Sequence, residues 1–312
     1  MKEDIVHVPV LLREVLSYFS PEPNKVFIDG TVGQGGHAEE LLHVLPEVRL
    51  LAIDRDPHNL AIAKDRLADY TDAVIFVSDS YANIKKITYD TEFSQVDGIL
   101  LDLGYSSYHV EDPSRGFSFM AEGVLDMRYN PRGNGLSAKD IVNQWNEDEL
   151  AEIFRKYGEE RQARRIAQLI ISARQQQEIE TTTQLADIVA SGIRRTGRTH
   201  PATKIFQALR IAVNNELGEL ESALPDFVDC LKPGGRFAII SFHSLEDRIV
   251  KQFFKSRDDL TVLTKKPVVP TETETKQILV LAAQSCVLLR KNNYVTSPYQ
   301  NFICTFAEDL TH

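Results

Sequence analysis

Four short apolar runs, "KVFIDG", "RLLAIDRD", "AVIFVSDS" and "VDGILLDLG", occupy the first hundred residues, and each ends on an acid or a polar turn. Such runs lack polar alternation, so each strand must be covered on both faces, and the helical patterns between them supply the cover. The spacing predicts buried parallel strands of a doubly wound α/β sheet. Ligands of these sheets sit beyond the carboxyl ends of the strands, which is where Asp29, Asp54, Asp79 and Asp102 fall. Asp56 as N-cap, Pro57 in the first turn, and Leu60, Ala63 and Leu67 on one face mark the helix after the second strand.

The turn after the first strand, "DGTVGQGGHAEELL", places Gly33, Gly35 and Ala38 in a G-x-G-x-x-A pattern, with Asp54 about 20 residues on, where an acid grips ribose hydroxyls. A dinucleotide and S-adenosylmethionine both carry a ribose and an anionic group for the helix N-terminus. Asp29 directly before the turn tilts the choice, because it repels a pyrophosphate and attracts the ammonium of a methionine moiety. Asp79 and Asp102 add acids to the rim, although local capping also accounts for Asp79.

From Val110 the pattern changes. "EDPSRGFSFMAEGVLDMRYNPRGNG" reads as a long ordered loop, broken by Pro113 and Pro131. "EDELAEIFRKYG", "ERQARRIAQLIISARQQ", "TTQLADIVASGI" and "ATKIFQALRIAVNNELGELESAL" then show helical spacing, and the sheet pattern resumes at "LKPGGRFAIISFHS". An all-helical domain inserted between strands four and five is expected, giving two parts of one sheet domain at 1–109 and 213–312 around an insertion at 110–212.

Charge sharpens this division. The chain carries a net −10, yet residues 155–210 hold 11 Lys and Arg against 5 Asp and Glu, a local excess of +6. A basic segment within an acidic chain fits a local nucleic-acid contact, as it also fits solvated helix faces. Cys230, Cys286 and Cys304 form no Cys-x-x-Cys pair, so neither a disulfide framework nor a zinc knuckle is expected. No His-Glu-x-x-His or calcium loop occurs, and no metal site is expected. With no bilayer-length apolar run and no leader pattern, a cytoplasmic location is the expectation and no membrane partner is foreseen.

"DGTVGQGGH", "AIDRDP", "GILLDLGYSS", "RGFSFMAEGVLDMRY", "YGEERQARRIA", "HPATKIFQALRIAVNNEL" and "KPGGRFAIISFHSLEDRIVK" closely resemble blocks of the ribosomal RNA small subunit methyltransferase H (MraW/RsmH) family, over roughly residues 7–254. The resemblance implies a class I, Rossmann-like methyltransferase with a helical insertion. It also implies S-adenosylmethionine as methyl donor and N4 of a cytosine in the decoding region of 16S rRNA as acceptor. Carried over by position, Gly35, Gly36 and His37 resemble the family's cofactor turn, Asp54 its ribose acid, Tyr81 its aromatic beside the adenine, and Asp102 its acid after strand four. His109 stands at a further cofactor contact, where many members have glutamine in a Ser-Ser-Pro-Gln run; here the run is "SSYH".

For an exocyclic amine, Asp102 is the candidate to orient the nucleophile and His243 to assist proton removal. Ser244 and Asp247 look like the capping pair of the helix that follows. Arg161 and Arg165, at i and i+4 on one helix face, together with Arg194, Arg195, Arg198 and Lys204, are expected to meet RNA phosphates. Arg115, Phe117 and Arg128 in the long loop are candidates to meet RNA or close over the site, and equally to pack the loop itself. Phe117, Phe119 and Tyr129 are available to stack on an exposed base. The family commonly carries a basic run where this chain reads "ILVLAAQSCVLLRK" (Ile278–Lys291). With one choice of codons, a single-nucleotide shift of frame interconverts the two, so a frameshift over 278–291 is an expectation. A noncatalytic RNA-binding or assembly protein on the same fold, and an NAD-linked oxidoreductase, are the alternative readings; the sequence leaves monomer and homodimer equally open.

Overall fold

The computed structural model describes residues 9–45, 47–193, 200–264, 268 and 285–292. One seven-stranded sheet runs in the order β3-β2-β1-β4-β5-β7-β6. Its strands are β1 (Val26–Asp29), β2 (Arg49–Asp54), β3 (Val74–Ser78), β4 (Val96–Asp102), β5 (Leu231–Ser241), β6 (Leu260–Val262) and β7 (Ser285–Lys291). The first five are mutually parallel, and β7 pairs antiparallel with both β5 and β6. This is the class I methyltransferase arrangement that the resemblance implies.

Alternate residues of each strand enter different cores. Ile28, Leu51, Ile53, Ile99 and Leu101 join one cluster, while Phe27, Leu50, Ala52 and Leu100 join the cluster on the opposite face. A strand with no polar face must be sandwiched in this way, and helices cover both sides. α1 (Leu12–Phe19), α2 (Gly36–Val44) and α3 (Pro57–Arg66) pack on the second cluster. α4 (Ile84–Thr91), reached from β3, lies on the first.

After β4 the chain forms the short α5 (Ser107–Glu111) and a long loop, then α6 (Ala138–Gln144), α7 (Glu147–Lys156), α8 (Ala163–Arg174), α9 (Thr182–Gly192) and α10 (Thr203–Asn214). These helices share a third cluster that includes Leu150, Phe154, Ile166, Ile170, Leu185, Val189, Ile205 and Leu209. The loop is ordered by close backbone approach: Gly116 has φ 76°, and a Cβ there would lie 2.3 Å from the carbonyl oxygen of Val124. A bridge from Val124 to Thr181 ties the loop to the start of α9.

"ATKIFQALRIAVNNELGELESAL" is two helices rather than one stretch. Asn215 adopts the left-handed conformation (φ 49°, ψ 37°), ending α10 and starting α11 (Glu216–Cys230), which continues through Pro225. α11 returns to the first cluster beside α12 (Ser244–Lys255). Arg55, just past β2, locks the helical segment to the sheet by donating to the carbonyl of Asn214 (2.9 Å) and to Glu219 (3.0 Å). Of the run expected to be out of frame, 285–291 forms β7 between β5 and β6, while 278–284 lie outside the described residues. No described helix is long and apolar enough to cross a membrane.

Candidate active site

Strand order reverses between β1 and β4, and the acids ending these two strands, Asp29 and Asp102, meet at this switch point. The chain leaves β1 through a turn in which Gly33 (φ 53°) and Gly35 (φ 84°) are left-handed. Gly35 caps α2, and a Cβ on it would lie 3.4 Å from Ala63 of α3. Glycine therefore serves both the backbone sign and the close helix contact, and the first-turn N–H groups of α2 remain available to an anionic group. Ala38 is buried behind the turn.

Three carboxylates line the crevice, each shifted upward. Asp29, 4 % exposed, accepts one hydrogen bond from the Thr31 N–H (3.1 Å); burial pushes its pKa up to about 7 against that bond, with the charge of Asp54 adding to the rise. Asp54 accepts the N–H groups of Gly33 (2.8 Å) and Asp56 (2.7 Å), and burial still raises it to about 7. Asp102 is pushed well above the carboxylate range by burial, then by the charges of Asp29 and Glu246. Its side chain keeps a quarter of its exposure, so solvent tempers that rise. Asp102 Oδ1 is buried with no hydrogen-bond partner.

His37 stands over Asp102. Its Nε2 lies 3.0 Å from the carbonyl of Val10, which can only accept, so Nε2 carries the proton and Nδ1 faces Asp102 Oδ2 at 3.8 Å. Burial leads the upward shift of all three acids. A crevice built this way favours a cation with hydrogens to donate. Tyr81 opens the short turn after β3, half-buried, its ring 6.3 Å from that of Phe227. Asp79 binds the Ser80 N–H (2.7 Å) and Asn83 (2.8 Å), which is its local capping role.

His109 and Arg115 are buried behind the rim, joined to Asp54 through Asp56. His109 Nε2 meets Asp56 at 2.8 Å, and its Nδ1 takes the N–H of Ser106 at 3.0 Å. Arg115, a candidate RNA contact, instead packs the loop: it donates to Asp56 (2.7 Å) and to the carbonyls of Arg128 (3.0 Å) and Tyr129 (2.9 Å). A guanidinium occupied on three sides inside the protein holds the loop and has no face for phosphate. Asp56, the N-cap of α3, gathers both residues; burial alone would raise its pKa, but His109 and Arg115 bring it down to about 2. Phe117 and Tyr129 are likewise buried around His109, so neither offers a free stacking face.

Beside Asp102, a second polar group is buried at the ends of β5 and α10. Arg210 donates to both oxygens of Glu216 (2.9 and 2.8 Å), Tyr129 hydroxyl reaches Glu216 at 3.2 Å, and the guanidinium lies 4.7 Å from the centre of the Tyr105 ring. His243 and Glu246, rather than Ser244 and Asp247, form the capping box of α12. His243 Nδ1 takes the Glu246 N–H (3.4 Å), which leaves the proton on Nε2, and Glu246 Oε2 takes the N–H groups of Phe242 (2.8 Å) and His243 (3.3 Å). A ring whose one lone pair is turned to the backbone donates into the site more readily than it accepts a proton. Ligand atoms of Glu216, His243 and Glu246 lie within 4.8 Å of one another. Glu216 is nonetheless already matched by the fixed cation Arg210, which opposes a divalent ion there.

Arg210, Glu216 and Glu246 escape a reading by motif; Arg210 alone carries a signal, a charge among the buried Phe206, Leu209 and Ile211 of α10. Among the candidate RNA contacts, Arg161 and Arg165 are exposed, Arg161 lying in the turn before α8 rather than on the helix. Lys204 is exposed and donates to the Glu159 carbonyl (3.1 Å). Arg128 is half-buried and paired with Asp126 (2.7 Å). Arg194, Arg195 and Arg198 lie outside the described residues.

Comparison with known proteins agrees with this geometry. The model of the MraW methylase family matches residues 4–288. Ribosomal RNA small subunit methyltransferase H of Nostoc sp. is 48% identical over 271 residues, covering 86% of this chain and 87% of that protein. The protein of the same name from Heliobacterium modesticaldum is 43% identical over 291 residues, covering 86% of this chain and 93% of that one. A match of this extent, on a sheet whose strand-end acids converge at the switch point, shows that the chain belongs to the MraW methylase family.

Proposed function

We propose that the chain transfers the methyl group of S-adenosylmethionine to N4 of a cytosine in the decoding region of 16S rRNA, acting in the cytoplasm. The observation that carries the reading is the set of three upshifted carboxylates, Asp29, Asp54 and Asp102, gathered at the switch point. Bound there, the cofactor supplies an electrophilic methyl group on a sulfonium. Asp29 and the turn Gly33–Gly36 would hold its amino-acid end, Asp54 its ribose and Tyr81 its adenine, with His37 lining the pocket beside Asp102 and His109 fixing the loop behind the turn. A pyrophosphate in the same place would face Asp29, which disfavours a dinucleotide.

The acceptor amine is a weak nucleophile, because its lone pair is delocalised into the ring. Asp102, with one oxygen unpartnered, would accept an amine hydrogen, return electron density to nitrogen and orient it toward the methyl group. His243, the N-cap of α12 just past β5, would complete that face. The helical segment 110–212 would position the RNA, with Arg161, Arg165, Lys204, Arg194, Arg195 and Arg198 contacting phosphates. The relatives' names, which specify small-subunit ribosomal RNA, support this substrate.

Incubation with labelled S-adenosylmethionine and small ribosomal subunits lacking the modification tests the proposal. Label on one cytosine of 16S rRNA, as N4-methylcytosine, is the expected result. Folded protein that binds the subunits and transfers no label would instead favour a noncatalytic assembly role.

A further inference from the structure

Four described side-chain polar atoms are buried without a hydrogen-bond partner, and two of them, Asp102 Oδ1 and His243 Nε2, belong to adjacent strand ends. Asp102 ends β4 opposite Ile240 of β5, and His243 follows three residues later. Orphaned buried polar atoms are rare in folded proteins, and a pair at one ligand-binding edge points to a missing partner. The two atoms differ in kind. Asp102 Oδ1 is an acceptor when ionised, and His243 Nε2 is a donor, because Nδ1 takes the Glu246 N–H.

Glu246 adds a second acceptor. Its Oε1 lies 3.1 Å from His243 Nε2 without completing that atom's hydrogen bonding, while its Oε2 is held by two backbone N–H groups. Burial would raise its pKa, but the contact with His243 and the charge of Arg210 lower it, so the carboxylate stays ionised and acceptor-only. Arg210 is itself fixed by Glu216 and by the ring of Tyr105.

From this arrangement we infer that His243 and Glu246, together with Asp102, read the acceptor base, and that they select cytosine over uracil; the inference rests on the cytosine reading above. A cytosine edge offers a ring acceptor, N3, beside an amine with two hydrogens. His243 Nε2–H donates to N3, Glu246 Oε1 accepts one amine hydrogen, and Asp102 Oδ1 accepts the other. Uracil reverses both positions, placing N3–H against an N–H donor and O4 against carboxylates. A buried site with polar groups left mismatched discriminates by on the order of 10⁴. Arg210 and Glu216 are positioning residues, acting on the base only through Glu246.

Three measurements on the full-length protein test the inference. First, small subunits with the target cytosine replaced by uracil compete in the methyl-transfer assay; wild type should resist them, and Glu246→Gln, whose amide can turn a donor toward O4, should be inhibited at least tenfold more readily. Second, His243→Asn keeps an N–H donor and should retain more kcat/KM than His243→Phe, which should lose about 10² as expected for a transition-state donor. Donor affinity by calorimetry should be unchanged in both histidine variants; His243→Asn keeps the α12 cap and should hold its Tm, whereas His243→Phe loses the cap and should melt lower, so kcat/KM is compared at a temperature where both are folded, and the comparison stands even if Glu246→Gln folds poorly. Third, the purified protein is assayed for bound metal. Equal competition by uracil and cytosine subunits against wild type overturns the inference. So does equal loss in His243→Asn and His243→Phe with disappearance of an acidic limb in the pH–rate profile, which would make His243 a base. One tightly bound metal equivalent that is lost in Glu246→Gln also overturns it. Absence of any transfer by wild type to cytosine subunits would refute the functional reading instead.

Discussion

Raising the pH from 5.5 to 7.5 should tighten S-adenosylmethionine binding about 25-fold for each proton that binding displaces. Asp29 and Asp54 both titrate near 7 in the free protein, so at the lower pH they are largely neutral and offer little to an ammonium or sulfonium. An opposite charge within a few ångströms favours ionisation, so the bound protein holds fewer protons than the free one. Affinity must then rise with pH until the acids are ionised in the free protein, and flatten above about 8.

The same groups act on stability in the opposite sense. A carboxylate whose folded pKa exceeds its unfolded value gives a contribution that is complete below about pH 4 and lost as the pH climbs through about 7. For Asp29, a rise from 3.8 to about 7 amounts to at most about 4 kcal/mol. Calorimetric titration of S-adenosylmethionine at several pH values, in two buffers of different ionisation enthalpy, measures the affinity and the proton count together. Thermal melts should show the free protein losing stability from pH 5 to 8 and regaining it with ligand. Affinity flat across this range, or proton uptake on binding, would refute the electrostatic argument.

Arg115→Ala removes the cation held by buried Asp56 and should cost about 3 kcal/mol in denaturant unfolding, since the remaining charge stays uncompensated; a loss below 1 kcal/mol would deny the knot its structural role. Gly35→Ala places a side chain at φ 84° against Ala63 and should cost about 1 to 2 kcal/mol while weakening donor binding; a variant with unchanged affinity would show that the turn does not touch the ligand. Arg161→Ala and Arg165→Ala together should flatten the salt dependence of small-subunit binding by roughly 0.7 per lost phosphate contact and leave donor affinity untouched; an unaltered salt slope would remove these two from the RNA surface.

The sheet was legible because its apolar runs have no alternative: "LLAID" cannot show a face to water, and Leu51, Ala52 and Ile53 are fully buried. Asp56 was equally readable, since a cap followed by proline is a local signal, and the structure has the His58 N–H donating to it at 2.8 Å. Local signals also explain the misreadings. In "HSLEDR" two register choices give a plausible capping pair, and only packing against Phe242 and Arg210 selects His243 with Glu246. Arg115 reads as a loop arginine because its partner, Asp56, lies 59 residues away. Arg210 and Glu216 sit six residues apart across a left-handed Asn215, a turn that helical periodicity cannot anticipate.

The central claim is that the acid-lined switch point receives a cationic methyl donor, and direct titration tests it most simply. S-adenosylmethionine added to the folded protein at pH 7.5 should give a single saturable site with proton release, and NAD should give no binding heat. Saturation by NAD with no heat from S-adenosylmethionine would contradict the claim.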